Sequence, residues 1–266
     1  MRGRYAGRSE EEIEEMVAVL AGVRDRVLGA ADVQPGEMVL DVGAGTGLLT
    51  FGARKLVGET GQVVAVDISV DALYQLLGAA HAAGTAGIAL QLGAAEVLPL
   101  PDASVDVVLT RSVLIYVREK AEAAREFFRV LRAGGRVSLF EPVNRRNPSL
   151  STVIDLAELA PLVDERHARR LDAADPMLDF DAADLERYFV EAGFTDARAT
   201  VVETVQETVT EMLLTTPPAP GKKPLFDAWR EEHGVQSAQR LAELVRAHGP
   251  RVDLTVTQVY LSARKP

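Results

Sequence analysis

The chain contains no cysteine, which removes disulfides, thiolate metal ligands and a cysteine nucleophile together. It has four histidines among 266 residues, a poor supply for an ordinary zinc site, so no metal is expected. No run approaches the roughly 18 apolar residues of a membrane span. The opening Met1-Arg2-Gly3-Arg4-Tyr5 leads into acidic residues rather than an apolar signal core. Basic residues are outnumbered, 29 against 39, and the formal charge of −10 argues against a nucleic-acid or anionic-membrane partner. A soluble cytoplasmic protein is therefore expected. Hydrophobic residues make up 47%, enough for a full core in one enlarged domain or a domain with a small appendage.

What the chain does have is a strand-length apolar run, Val39-Leu40-Asp41-Val42, that stops at Gly43-Ala44-Gly45-Thr46-Gly47 and passes into a helical pattern. Glycines at such a turn let the backbone approach a ligand and turn amide N–H groups toward it. A second apolar strand, Val63-Val64-Ala65-Val66, ends in Asp67, whose carboxylate would suit both hydroxyls of a ribose. The spacing is G-x-G-x-G. A dinucleotide fingerprint needs a third glycine where Leu48 stands, and no G-x-x-x-x-G-K-[ST] triphosphate loop is present. Asp41 beside the turn suits a ligand with a cationic amine better than one with two phosphates.

This block resembles motif I of the class I S-adenosylmethionine (SAM)-dependent methyltransferases, closest in pattern to the broad quinone and natural-product group. A second stretch supports the likeness. Gly93 to Leu109 is similar to the family segment G-D-A-x-x-L-P-F-x-D-x-S-F-D, with Ala94 where relatives carry the acid that holds the adenine amine. That leaves two candidates for the amine, the Glu96 side chain or the backbone at Ala95. Leu131-Arg132-Ala133-Gly134-Gly135 resembles the family's L-x-P-G-G turn before a fifth strand at Arg136–Glu141. The resemblance covers about residues 36–142. It implies an α/β fold with a doubly wound, mostly parallel seven-stranded sheet, SAM as cofactor, and S-adenosylhomocysteine (SAH) as product. The cofactor residues it implies are Asp41, Gly43, Ala44, Gly45, Thr46, Gly47, Asp67, Ile68, Ala95, Glu96, Arg111 and Ser112.

The alternation of five strands with helices also predicts a parallel sheet covered on both faces, with ligands at the carboxyl ends of the strands. Asp41, Asp67, Ala95, Arg111 and Glu141 all fall at such ends. Before the first strand, Ser9 to Glu12 forms a capping box for a helix carrying Ile13, Met16, Val17, Leu20, Val23 and Val27, within an N-terminal segment 1–35. That helix is expected beside the sheet or over the cofactor mouth. Residues 143–180 break the pattern, with helix expected over Thr152–Ala160 and basic residues at Arg166–Arg170. They read as a helical lid above the ligand edge. Residues 181–266 resume the core and complete the sheet, with a helical insertion at about 217–249.

Methyl transfer needs donor and acceptor aligned at about 3 Å and water excluded. Where a proton must leave, a base within hydrogen-bond reach is needed, and His167, Glu141 and Tyr116 are the candidates by location. Tyr5, Tyr116, Asn144, Arg166 and Arg170 are candidate substrate contacts, the arginines for an acceptor bearing negative charge. The [DNS]-P-P-[YFW] tetrapeptide of nucleic-acid amino-methylating enzymes is absent after the fourth strand, where Thr110-Arg111-Ser112-Val113 stands, which favours a small organic acceptor. A non-catalytic SAM or SAH binder, and then an NAD-dependent oxidoreductase, are the competing classes.

Overall fold

Five apolar segments, all but the edge strand buried, pair side by side in the computed structural model, which describes residues 10–172, 175–218 and 221–266. They are β1 (Met38–Val42), β2 (Gln62–Asp67), β3 (Ile88–Leu92), β4 (Val105–Arg111) and β5 (Leu131–Pro142), all parallel. Two late strands, β6 (Thr195–Val209) and β7 (Arg251–Arg264), give the order β3-β2-β1-β4-β5-β7-β6. Gly134 N–H donates to Lys265 O at 2.9 Å and Val143 N–H to Thr257 O at 2.8 Å, so β7 runs antiparallel to β5. Strand order reverses between β1 and β4, the point at which an open α/β sheet forms its ligand crevice.

Unit 1 comprises the chain up to Pro142, Asp181–Val201 and Val259–Pro266. In it, α1 (Glu10–Ala31) and α2 (Leu48–Val57) bury Val27, Ala31, Leu49 and Ala53 against Val39, Val63, Val107 and Leu109. Leu76 of α3 (Val70–Ala82) joins Ala44 and Ala65. The alternate strand residues Leu40, Val64 and Val108 are buried as well, which leaves the opposite face to α4 (Lys120–Val130) and α6 (Ala182–Glu191). Those two helices meet through Phe127 and Phe189, with ring centroids 6.2 Å apart. Capping fixes where the helices start. Ser69 Oγ accepts from Ala72 N–H, and Asp181 with Asp184 forms a capping box.

Unit 2 comprises Val143–Phe180 and Val202–Gln258. Its core gathers Ile154, Leu156, Leu159, Leu214, Trp229 and Leu241. It contains α5 (Ala160–Asp172), α7 (Thr210–Thr215) and α8 (Leu225–Ala247), the last kinked at Gly234. Both β6 and β7 change unit part-way along their length. No helix among the described residues is long and apolar enough to cross a membrane.

Four expectations are corrected. No helix separates β3 from β4; residues 93–104 form an irregular loop, so strand and helix do not alternate throughout. Over Thr152–Ala160 there are two short 3-10 turns, and the helix begins only at Ala160. β5 starts at Leu131, and the Gly134-Gly135 stretch is an irregularity in its register between Val105↔Leu131 and Val107↔Arg136. Residues 143–180 do not form a unit of their own but share a core with 202–258.

Candidate functional site

The turn after β1 is held by backbone and by one carboxylate. Gly43 and Ala44 N–H both donate to Val66 O, at 2.7 and 3.0 Å, which clamps the turn to the end of β2. Gly45 N–H donates to Asp67 Oδ2 at 2.8 Å, and Ser69 N–H to Oδ1 at 2.8 Å. Each Asp67 oxygen keeps a further lone pair for a ligand hydroxyl. Gly43, Gly45 and Gly47 all have positive φ. At Gly43 a Cβ would lie 2.1 Å from Val113 Cγ2, and at Gly47 one would lie 2.7 Å from the Phe51 ring. Glycine is required at both, by conformation and by space. Beside Asp67, Ile68 is exposed over 75% of its surface.

A cavity of about 390 Å³ opens on this turn. Asp41, Gly43 to Gly47 and Arg111 border it, together with Val17, Leu20, Ala21 and Arg24 of α1. Val17 and Leu20 belong to the apolar spacing that marks this helix in the sequence, but none of the four α1 residues is among the cofactor candidates read there, although the helix is expected beside the sheet or over the mouth. Asp67, Ile68, Ala95, Glu96 and Ser112 stand outside this cavity lining. Tyr5 lies outside the described residues, as does Ser9 of the capping box.

Asp41 is enclosed, and its Oδ2 accepts the Thr50 hydroxyl at 2.5 Å. Burial raises its pKa to about 7 against the hydrogen bonds from Thr50 and the charge of Arg111. A cationic ligand group at the cavity would draw the carboxyl into its ionised form. Ala95 is buried, and Glu96 is partly exposed on the loop after β3. Gly93 N–H of that loop donates to Asp67 O at 3.1 Å. Ser112, at the tip of β4, adopts φ 55° and donates its N–H to Phe140 O at 2.9 Å.

The three candidate bases have different surroundings. Glu141 is completely buried, and its carboxylate accepts N–H from Val113 and Leu114 at 2.9 Å each and from Ile115 at 3.1 Å. Burial raises it to about 7 despite these three donors. It is a clamp for the loop after β4, enclosed within the protein rather than open to solvent. Tyr116 is half exposed at the end of a 3-10 turn, Leu114–Tyr116. His167 lies on α5, and burial together with Arg170 lowers its pKa, so the ring is neutral at pH 7. Within unit 2, His167, Arg170 and Asn144 border one cavity of about 290 Å³ with Asn147. Arg166 is instead ion-paired, donating to both oxygens of Glu232 at 3.1 Å.

Comparison with known proteins agrees with this geometry. Residues 34–192 match the model of a family described as a methyltransferase domain. The chain is similar to the ubiquinone/menaquinone biosynthesis C-methyltransferase of Hahella chejuensis, 40% identical over 49% of this chain and 53% of that protein. It is 33% identical to the Vibrio campbellii enzyme of the same description, over 64% of this chain and 69% of that protein. The chain spans about half the length, or less, of the first curated relatives it matches. Among solved structures, a geranyl diphosphate methyltransferase in complex with SAM shares the fold, with a TM-score of 0.59 over 96% of this chain and 88% of that one at 15% identity. A [4+2]-cyclase also shares it, with a TM-score of 0.55 over 92% and 80% at 18% identity.

Proposed function

The chain belongs to the class I SAM-dependent methyltransferases, and from that premise we propose that it transfers the methyl group of SAM to an oxygen, nitrogen or carbon of a small organic molecule. The observation that carries this reading is the glycine turn at the β1/β4 reversal, tied through Gly45 N–H to the carboxylate of Asp67. Asp67 would take the ribose hydroxyls on its remaining lone pairs, with Ile68 against the adenine face. Asp41, enclosed beside Arg111, would meet the ammonium of the methionine end, whose charge favours the carboxylate. The loop at Ala95 and Glu96 would hold the adenine edge without the acid that relatives carry at the position of Ala94.

SAM supplies an already activated methyl group, so the protein's part is to align the acceptor and keep water out. Of the three candidate bases, His167 has its proton-accepting form populated at pH 7 and borders a cavity in unit 2. Arg170 on the same cavity suits an acceptor with negative charge, and we assign acceptor contacts to unit 2 with Asn144 and Arg170 among them. The net charge of −10 favours a dissolved small molecule over nucleic acid, and we place the protein in the cytoplasm. A second reading, SAM or SAH bound without methyl transfer, is supported by the cyclase on the same fold, since fold does not fix reaction.

The deciding experiment is calorimetry of the purified chain with SAM, SAH and NADH, joined to mass spectrometry of any ligand that co-purifies. Saturable binding of SAM and SAH without NADH binding is expected. NADH binding in their place would overturn the reading. Methyl transfer to no member of a broad panel of phenols, amines, quinols and carboxylates, by a SAM-loaded protein, would favour the non-catalytic alternative.

A further inference from the structure

The cavities of unit 2 narrow the acceptor further. Besides the cavity of about 290 Å³ that carries Asn144, Asn147 and His167, a larger one of about 560 Å³ has Leu150, Leu213, Leu225 and Ala228 on its walls. Arg170, Met177 and Pro218 border both, so the two spaces share a wall. The smaller space mixes polar and apolar groups about evenly, whereas the larger is mainly apolar. Each lies at the scale of a small-molecule pocket.

The cations around the larger cavity are mostly committed. Arg166 is paired with Glu232 at 3.1 Å, Lys222 with Asp175 at 3.0 Å, and Lys223 with Glu231 at 2.6 Å. Arg170, on the shared wall, makes no hydrogen bond or ion pair among the described residues. Its guanidinium offers five donors in a planar fork suited to a carboxylate, phosphate or phenolate. Arg170 is exposed, so this fork is open to a ligand on the wall that the two cavities share. Burial and the neighbouring Arg166 depress its pKa, against the more distant pull of the Asp175 and Glu232 carboxylates.

On the reading that unit 2 binds the acceptor, we infer that the acceptor is an amphiphile: its oxyanion lies on Arg170, its apolar chain or ring fills the space walled by Leu150, Leu213 and Leu225, and its polar end faces His167 and Asn144. A compact polar metabolite would leave the larger cavity unfilled. A neutral lipid would leave Arg170 unpaired.

The test uses the full chain saturated with SAH, titrated calorimetrically with dodecanoate below its micelle concentration, dodecan-1-ol and acetate. Dodecanoate is expected to bind at one site, dodecanol at least tenfold more weakly, and acetate without measurable affinity. Arg170→Gln should lose at least tenfold for dodecanoate while leaving dodecanol, SAH affinity and the thermal transition in place. Arg166→Gln should change dodecanoate binding by less than about threefold, because Arg166 already serves Glu232. Leu225→Gln should weaken dodecanoate and dodecanol together. Should Arg170→Gln unfold, Arg170→Lys keeps the charge without the fork and is expected to retain part of the affinity. Equal binding of dodecanoate and dodecanol, equal binding of acetate and dodecanoate, or an unchanged affinity in a folded Arg170→Gln protein would overturn the inference. So would the lack of saturable dodecanoate binding by a protein that binds SAH. Failure to bind SAH itself overturns the functional reading beneath it.

Discussion

Gly43 offers a quantitative test of how the turn after β1 is built. A Cβ at this position meets Val113 Cγ2 at 2.1 Å and Val113 Cβ and Cγ1 at 3.3 Å, and the residue sits at φ +66°. Val113 has little freedom to retreat, because its N–H and the two that follow are held on Glu141. Gly43→Ala therefore incurs two separable costs. Placing an L-residue in the left-handed region costs about 1–2 kcal/mol. Overpacking against an anchored side chain costs about 1–3 kcal/mol more. Gly45 is the internal control, since at φ +55° its Cβ would have nothing nearer than Gly43 O at 4.0 Å. Gly45→Ala should show the conformational cost alone. Truncating the obstacle with Val113→Ala should recover the overpacking part but not the conformational part. The double-mutant cycle should then give a coupling of about 1–3 kcal/mol. Urea unfolding followed by circular dichroism, with matched m-values, measures the wild type, the three single variants and the double variant. Additivity within about 0.5 kcal/mol, or equal costs at Gly43 and Gly45, would refute the steric argument.

Two further expectations concern the carboxylates. Asp67→Ala should weaken SAH binding by on the order of 1–3 kcal/mol, by removing ribose acceptors and releasing the Gly45 N–H; calorimetry showing an unchanged dissociation constant in a folded variant would reduce Asp67 to a strand cap. Asp41 is raised from 3.8 to about 7, so the folded state holds more protons than the unfolded one between about pH 4 and pH 7. Its favourable contribution is full below the unfolded pKa and is lost as pH rises through the folded value. Asp41→Asn, which still accepts from Thr50 but does not titrate, should therefore gain on the wild type across that window, by at most roughly 4 kcal/mol. A stability difference that stays flat with pH, read from thermal melts in a buffer series, would contradict this.

The parts of the fold legible in the sequence were those written locally. An apolar run ending in a glycine turn or a lone aspartate marks a strand and its tip, and β1 and β2 lie where such runs stand. Local signals failed where a side chain competes with the backbone. Thr152–Ala160 has helical composition, yet Asp155 Oδ1 accepts the Ala157 N–H at 3.0 Å and Ala157 adopts φ 47°, so the helix cannot begin before Ala160. Pro161 then sits in the first turn, where its missing N–H costs nothing. The role of Glu141 was not legible, because a strand-tip carboxylate looks the same in sequence whether it faces a ligand or collects the amides of a loop 26 to 28 residues earlier. Nor was the true extent of unit 2. Leu156 and Leu159 become buried only through Leu214, Trp229 and Leu241, and no periodicity announces a contact across such a gap.

Unit 2 is threaded from two stretches of chain, and each stretch begins and ends in unit 1. Exchange of parts between relatives is constrained accordingly. A transplant of residues 143–180 alone would bring Ile154, Leu156 and Leu159 against Leu214, Trp229 and Leu241 that had never been fitted to them. The larger cavity of unit 2 would be cut as well, since Arg170 and Met177 come from one stretch and Leu213, Pro218 and Leu225 from the other. A chimera that exchanges unit 2 must carry both stretches together, the first joined after Pro142 and before Asp181, the second within the strands β6 and β7.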